Sequence, residues 1–186
     1  MSKTALCINA RSSSIKFHLI EAVQDQSSNV RWKGQIQGFG GGLPRLAARD
    51  ATGREVVEQV FNADDVRDGA AAMPPLLRWV RERLGALPTA VCHRLTSGGA
   101  RYSTPVLIDE EVIDALRELV PLMPLHLPLE LGPIEVIYER FPRVSQVAVF
   151  DPQCRELLIA QDALALVRSS PQCRVPRTQT YEHWCL

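Results

Sequence analysis

Short apolar runs interrupted by polar turns dominate the first forty residues. Thr4-Ala-Leu-Cys-Ile8 is an apolar run that ends at Asn9, and Ile15-Lys-Phe-His-Leu-Ile20 alternates as a half-buried strand does. The segment between them, Asn9-Ala-Arg-Ser-Ser-Ser14, has the composition of a turn. A β-hairpin is predicted. Val30-Arg-Trp-Lys-Gly-Gln-Ile36 alternates again and predicts a third strand, followed by the loop Gly38-Phe-Gly-Gly-Gly-Leu-Pro44. The simplest arrangement is an antiparallel β-meander.

The period then changes from two to that of a helix. Met73, Leu76, Leu77, Val80 and Leu84 recur at helical spacing between Gly69 and Gly85, with arginines mostly on the other face. Thr89–His93 is a short apolar strand that delivers Arg94 to its carboxyl end and leads into the Ser97-Gly98-Gly99 loop. Asp109–Leu119 opens with acids and predicts a second helix that stops near Pro121. Leu129–Phe141 predicts a third, with Pro133 in its first turn, and Val144–Phe150 predicts a strand ending at Asp151. Ligands of α/β sheets bind beyond the carboxyl ends of strands. Asn9, Arg94 and Asp151 are expected there.

Beyond Arg155 the character shifts. Leu157–Val167 is rich in Ala and Leu and suits a helix, whereas Ser169–Leu186 has no clear period and is expected to be poorly ordered. The expected division is a domain over residues 1–154 and a divergent helix with a tail over residues 155–186.

Composition narrows the classes without adding elements. The 186 residues are 46% hydrophobic and 23% charged, and 21 basic residues balance 21 acidic ones. No net field favours nucleic acid or an anionic membrane surface. Charges and prolines break every apolar stretch well short of the roughly 18 residues of a membrane span, and the N-terminus lacks the pattern of a signal peptide. A cytoplasmic protein is expected. Five cysteines, at positions 7, 92, 154, 173 and 185, form neither a Cys-x-x-Cys pair nor a zinc-ligand spacing. Cys7 and Cys92 lie within apolar strands and read as small buried hydrophobes.

Four polar features carry candidate chemistry. The Asn9–Lys16 turn offers backbone N–H groups, serine hydroxyls and the Lys16 charge to phosphate oxygens. Arg94 presents a planar fork suited to a carboxylate or phosphate. The loop Pro124-Leu-His-Leu-Pro128 offers an apolar wall and the His126 imidazole. Asp151 ends an apolar strand with a carboxylate, a frequent place for a group that orients a nucleophile or a metal-bound water. Taken singly, each reads more readily as ordinary structure: a serine-rich hairpin, a surface ion pair, a structural histidine and a turn aspartate.

Their order and spacing, however, resemble the acetate and propionate kinase family from about Thr4 to Asp151. The family turn Asn-x-Gly-Ser-Ser-Ser-x-Lys is similar to Asn9–Lys16, and His-Arg-x-x-His-Gly-Gly is similar to His93–Gly99. Pro-Leu-His-Asn-Pro resembles Pro124–Pro128, and Val-Phe-Asp-Thr resembles Val149–Pro152. The resemblance implies the N-terminal domain of the actin-like and sugar-kinase superfamily, which is ribonuclease H-like, with helices packed on a mixed sheet that starts as an antiparallel meander. It also implies reversible transfer of the ATP γ-phosphoryl group to a short-chain carboxylate, giving an acyl phosphate, with Mg²⁺. Under it, Asn9, Ser12, Ser14 and Lys16 would bind the phosphoryl groups, with Asn9 near the metal. Arg94 would hold the carboxylate and the transferring group, Leu125 and His126 would bind substrate, and Asp151 would be catalytic alongside Arg94.

Several positions depart from the family pattern. Arg11 stands where the family turn has glycine, Ser97 replaces the second histidine, and Thr96 stands where the family usually has an apolar pocket residue. Leu127 replaces asparagine and Pro152 replaces threonine. No Phe-His-Gly-Thr-Ser-His motif follows Asp151, and the second family domain is not found in these residues. The expectation is therefore a truncated, inactive kinase fragment that needs a separately encoded second domain. The alternatives are a non-catalytic carboxylate- or phosphate-binding regulatory module, and a remnant that folds poorly.

Overall fold

Alternation of apolar and polar side chains builds a single eight-stranded sheet in the computed structural model, which describes residues 3–22, 28–150 and 165. Strands β1 (Thr4–Ala10), β2 (Ser14–Ala22) and β3 (Ser28–Gln37) form the antiparallel meander read from the sequence. Helix α1 (Gly69–Leu84) follows, then β6 (Ala90–Arg94), α2 (Glu110–Glu118), α3 (Leu127–Arg140) and β8 (Ser145–Val149). Three strands lie outside the predicted set: β4 (Arg45–Asp50), β5 (Glu55–Val60) and the two-residue β7 (Val106–Leu107). The sheet order is β5-β4-β3-β2-β1-β6-β8-β7, with β1, β6 and β8 parallel. This is an α/β mixed sheet of the ribonuclease H-like kind, as expected.

The missed wing has a plain physical cause. Strand β5 is an edge strand whose side chains are mostly exposed, so no buried face imposes a strict apolar phase on it. Its turn was nonetheless legible. Asp50 Oδ1 accepts from the Thr52 and Arg54 backbone N–H groups at 2.9 and 3.0 Å, and Gly53 takes φ +86°, which only glycine adopts cheaply. Asp-x-Thr-Gly was the hairpin signal. The Gly38–Pro44 loop is tied down at its start, with Phe39 buried and the Gly38 N–H donating to the Ser13 carbonyl at 3.1 Å.

Helix boundaries follow local chemistry. Asp68 caps α1 by accepting from the Ala71 N–H at 2.8 Å, and Gly85 at φ +72° ends it. Asp109 caps α2 in the same way through the Val112 N–H. Helix α3 starts at Leu127, two residues before the predicted start, because Pro128 is tolerated in the first turn, where N–H groups lack partners anyway. Pro133 consequently lies in the second turn rather than the first.

Helices α1 and α3 pack against one face of the sheet. Leu6, Ile8, Phe17, Leu19, Met73 and Leu77 anchor that core, with Trp79 tilted between Phe17 and Trp32 at ring separations of 5.9 and 5.2 Å. A second cluster around Leu95, Leu116, Leu131 and Ile134 seats α2 and α3 against the β6–β8 side. Among the described residues no helix is long and apolar enough to cross a membrane.

Candidate functional site

Register brings the predicted polar residues to one level of the sheet. Ile8 pairs with Phe17 on one side and His93 on the other, and His93 pairs with Ala148. One residue further along every strand, Asn9 pairs with Lys16 and Arg94 with Val149. Lys16, Asn9 and Arg94 therefore form a row across three adjacent strands. Because side chains alternate, this row projects from the face opposite α1 and α3. Asn9 and Arg94 are the last-but-one and last residues of parallel strands, so they occupy strand ends rather than the loops beyond them.

The turn above this row is closed by its backbone. Arg11 N–H donates to the Ser14 carbonyl at 2.9 Å, leaving Ser12 and Ser13 as the two turn residues, and the Ser13 carbonyl accepts from Gly38. Arg11, Ser12 and Lys16 are exposed, and Asn9 and Ser14 are half-buried. The hydroxyls and the ammonium group are thus open to an anion. The donor set is neutral oxygen (Asn9, Ser12, Ser14) beside the cations Arg11, Lys16 and Arg94, which suits Mg²⁺ held mainly by phosphate and water oxygens. Among the described residues no three His, Cys, Asp or Glu side chains gather to hold a metal on their own.

The second rim loop, Arg94–Gly99, is fastened from below by buried polar side chains. His93 is 3% exposed, with Nε2 2.8 Å from Gln146 Oε1, while the Gln146 carboxamide donates to the Ile134 carbonyl at 3.2 Å. Since that carboxamide oxygen can only accept, the His93 ring nitrogen donates to it. Burial pushes the His93 pKa down to about 4, with the Gln146 bond opposing the shift, so the ring is neutral at physiological pH. His93 is therefore a structural residue.

Glu130, buried at 9% exposure, reaches from the first turn of α3 with both carboxylate oxygens. It accepts from the Thr96 N–H at 3.0 Å and from the Thr96 hydroxyl at 2.6 Å. Ser97 Oγ accepts from Gly99 N–H at 3.0 Å, and Tyr102 N–H bonds the Gly98 carbonyl. Gly98 admits nothing larger, because an added Cβ would meet the Tyr102 carbonyl oxygen at 2.2 Å. Tyr102 stacks on Phe150 at 5.9 Å, which fixes this loop to the end of β8.

The remaining candidates stand apart. Leu125 is 77% exposed and His126 is exposed at the N-cap of α3 without a side-chain capping bond. Asp151 and Pro152 lie outside the described residues, as does the expected tail over 155–186 apart from residue 165. Two residues escaped the sequence reading, Glu130 and Gln146. The available signal was a single acid in the apolar run Leu127-Pro-Leu-Glu-Leu-Gly-Pro-Ile134 and one carboxamide in the inward phase of Val144–Phe150.

The sequence and the fold that carry these loops are similar to those of known proteins. The model of the acetokinase family matches residues 4–170. The chain belongs to the acetokinase family. Acetate kinase of Nitrobacter hamburgensis is 40% identical over 146 residues, 78% of this chain and 36% of the relative. Acetate kinase of Rhizobium meliloti is 42% identical over 147 residues, 78% of this chain and 37% of the relative. The crystal structure of Porphyromonas gingivalis acetate kinase superposes with a TM-score of 0.68 at 28% identity, covering 80% of this chain and 37% of that one. A propionate kinase from Francisella tularensis shares the fold at a TM-score of 0.67 and 24% identity. The chain spans a little over a third of the length of the curated relatives it matches. The family match continues past Asp151 to residue 170, further than the four motifs carry the resemblance.

Proposed function

We propose that this chain is the N-terminal portion of an acetate-kinase-type phosphotransferase, which exchanges the ATP γ-phosphoryl group with a short-chain carboxylate to give an acyl phosphate, in the cytoplasm. The observation that carries this reading is the Lys16–Asn9–Arg94 row at the sheet rim, beneath a serine turn with exposed hydroxyls. Ser12, Ser14, Asn9 and Lys16 bind the phosphoryl oxygens. Arg94 pairs with the carboxylate and with the transferring group through its planar fork. Asp151 orients the carboxylate, and Leu125 and His126 contact its short alkyl chain. Mg²⁺, which Asn9 and the serine hydroxyls would help to hold, neutralises phosphate charge when bound. Phosphoryl transfer depends mostly on positioning and charge neutralisation, so residues of this kind supply the needed chemistry only when both substrates are clamped in line.

It follows that the 186 residues alone carry half a site and need a further kinase domain, from the same or another polypeptide. In a hydroxamate assay with ATP, Mg²⁺ and acetate, this polypeptide is expected to show no turnover. A chimera joining residues 1–150 to the remainder of the Nitrobacter hamburgensis acetate kinase is expected to turn over, with Arg94→Ala lowering kcat by about 10²-fold or more. Turnover by the 186 residues at the level of the intact relative, or a chimera indifferent to Arg94→Ala, overturns the proposal.

A second reading, a non-catalytic carboxylate- or phosphate-binding module, is favoured by Ser97. It occupies the place of the second family histidine and turns its hydroxyl back onto Gly99 N–H. Thermal stabilisation by acetyl phosphate that is lost in Arg94→Ala, combined with an inactive chimera, selects this reading.

A further inference from the structure

On the kinase reading above, on which this inference rests, two separate segments hold the acceptor: Arg94 at the end of β6 takes the carboxylate, and Leu125 and His126 ahead of α3 take the alkyl chain. A short acid spans only a few ångströms, so whatever sets the spacing of these segments sets which acid fits. The sheet does not set it. Its ladder along β6 ends where the Leu95 N–H donates to the Val149 carbonyl at 2.9 Å. The next main-chain donor, the Thr96 N–H, turns instead to Glu130 Oε2 at 3.0 Å, and the Thr96 hydroxyl adds a second bond to Oε1 at 2.6 Å. Two bonds from one residue to both oxygens of one carboxylate fix direction as well as distance.

The other end of this connection is firm. Glu130 lies in the first turn of α3, with its N–H bonded to the His126 carbonyl at 3.2 Å. Leu127, Leu131 and Ile134 are buried, and a Cβ added at Gly132 would come within 3.2 Å of the Ala70 Cβ, so α3 is seated closely on α1. We propose that Glu130 is a positioning residue for the acceptor carboxylate: through Thr96 it holds the Arg94 segment at a fixed distance from Leu125 and His126. The serine turn does not share this support, because it is closed by the Arg11 N–H on the Ser14 carbonyl and by Gly38 on Ser13. Loss of the Glu130 carboxylate therefore reaches the acceptor and spares the nucleotide. A carboxylate that only stabilised the fold would harm both alike.

Amide hydrogen exchange of the full chain, read by mass spectrometry, tests the connection. Glu130→Ala is expected to raise exchange about tenfold over residues 95–99 while residues 9–16 and 123–130 exchange as before. Glu130→Gln, whose carboxamide can accept from the N–H and donate to the hydroxyl, is expected to keep most of the protection. If Glu130→Ala does not fold, Thr96→Val serves in its place: it keeps the main-chain bond, loses the hydroxyl and is expected to raise exchange about threefold over residues 95–99. No rise there, or an equal rise in all three segments, overturns the proposal. The acceptor role is read in the chimera described above, where Glu130→Ala is expected to raise KM for acetate about tenfold and to leave KM for ATP within about twofold, with Glu130→Gln close to the unsubstituted chimera. Discrimination among acetate, propionate and butyrate, as ratios of kcat/KM, is expected to weaken with it. Leu116→Ala, which empties a buried position of the same cluster on α2, is expected to change neither KM. Equal rises in both KM values, or the same acceptor effect from Leu116→Ala, would reduce Glu130 to a structural residue and overturn the proposal. An inactive unsubstituted chimera overturns the kinase reading instead, and the exchange result alone then decides whether Glu130 positions the loop.

Discussion

At the rim of the sheet the turn between β1 and β2 is closed by main-chain hydrogen bonds and leaves Ser12, Lys16 and Arg11 open to solvent. The loop that leaves the neighbouring strand β6 is fastened by buried side chains, with His93 on Gln146, Thr96 on Glu130 and Gly98 pressed against Tyr102. The difference teaches where each loop's geometry is stored. A turn set by its backbone tolerates side-chain change and can exchange ligands without disturbing the core. A loop anchored on the buried side chains of His93, Gln146 and Glu130 transmits every change beneath it into stability. The contrast is open to direct attack.

The largest effect is expected from His93, through pH. Its folded pKa, about 4, lies below the ordinary 6.5, so the unfolded chain takes up a proton first as pH falls. Stability from this group is complete above pH 6.5, declines between 6.5 and about 4, and is flat below. The shift corresponds to about 3 kcal/mol over that window. Urea titrations at pH 7 and pH 4.5 are expected to show a loss that His93→Gln reduces by about one proton's worth of slope. An unchanged slope in His93→Gln would mean that the loop is not seated on a neutral imidazole.

Glu130→Ala tests the other fastening. It removes a buried charged acceptor from the Thr96 N–H and hydroxyl at once, and bonds to charged groups contribute about 1.5–3 kcal/mol. A loss of about 2 kcal/mol is expected in urea unfolding at pH 7. Thr96→Val leaves the carboxylate with the main-chain bond and is expected to cost less than Glu130→Ala. The reverse order would move the anchoring role from Glu130 to the threonine side chain.

The same contrast explains what the sequence disclosed. The serine turn was legible because its residues are local: strand, turn composition and strand follow one another within about fifteen positions. Helices α1 and α2 were legible for the same reason, through periodicity, bounded by Gly69 and Gly85 in the first and by the acids that begin at Asp109 in the second. The fastening of the second loop was not, since Glu130 meets Thr96 across 34 residues and Gln146 meets His93 across 53. No local pattern encodes such pairs. Strand β5 escaped because an exposed edge has no dry face to impose alternation, and β4 because its buried face is only Leu46 and Ala48, although the Asp50–Gly53 turn lies between them. Leu125 and His126 were singled out by motif alone, and both side chains are exposed.

The smallest effect is expected at Arg11, and it sharpens the comparison from the tolerant side. Arg11 stands where the family turn has glycine, and a bulky cation beside a phosphate site reads as an obstruction. Its side chain is exposed, however, and its structural contribution is the N–H bond to the Ser14 carbonyl, which any residue except proline provides. Arg11→Gly is therefore expected to change unfolding stability by less than about 0.5 kcal/mol, the range of ordinary surface substitutions. A stabilisation well above that would reveal backbone strain at this position, relieved by a residue with freer φ. A loss well above it would mean that the guanidinium itself fastens the turn, and the division between a main-chain-built turn and a side-chain-built loop would then fail.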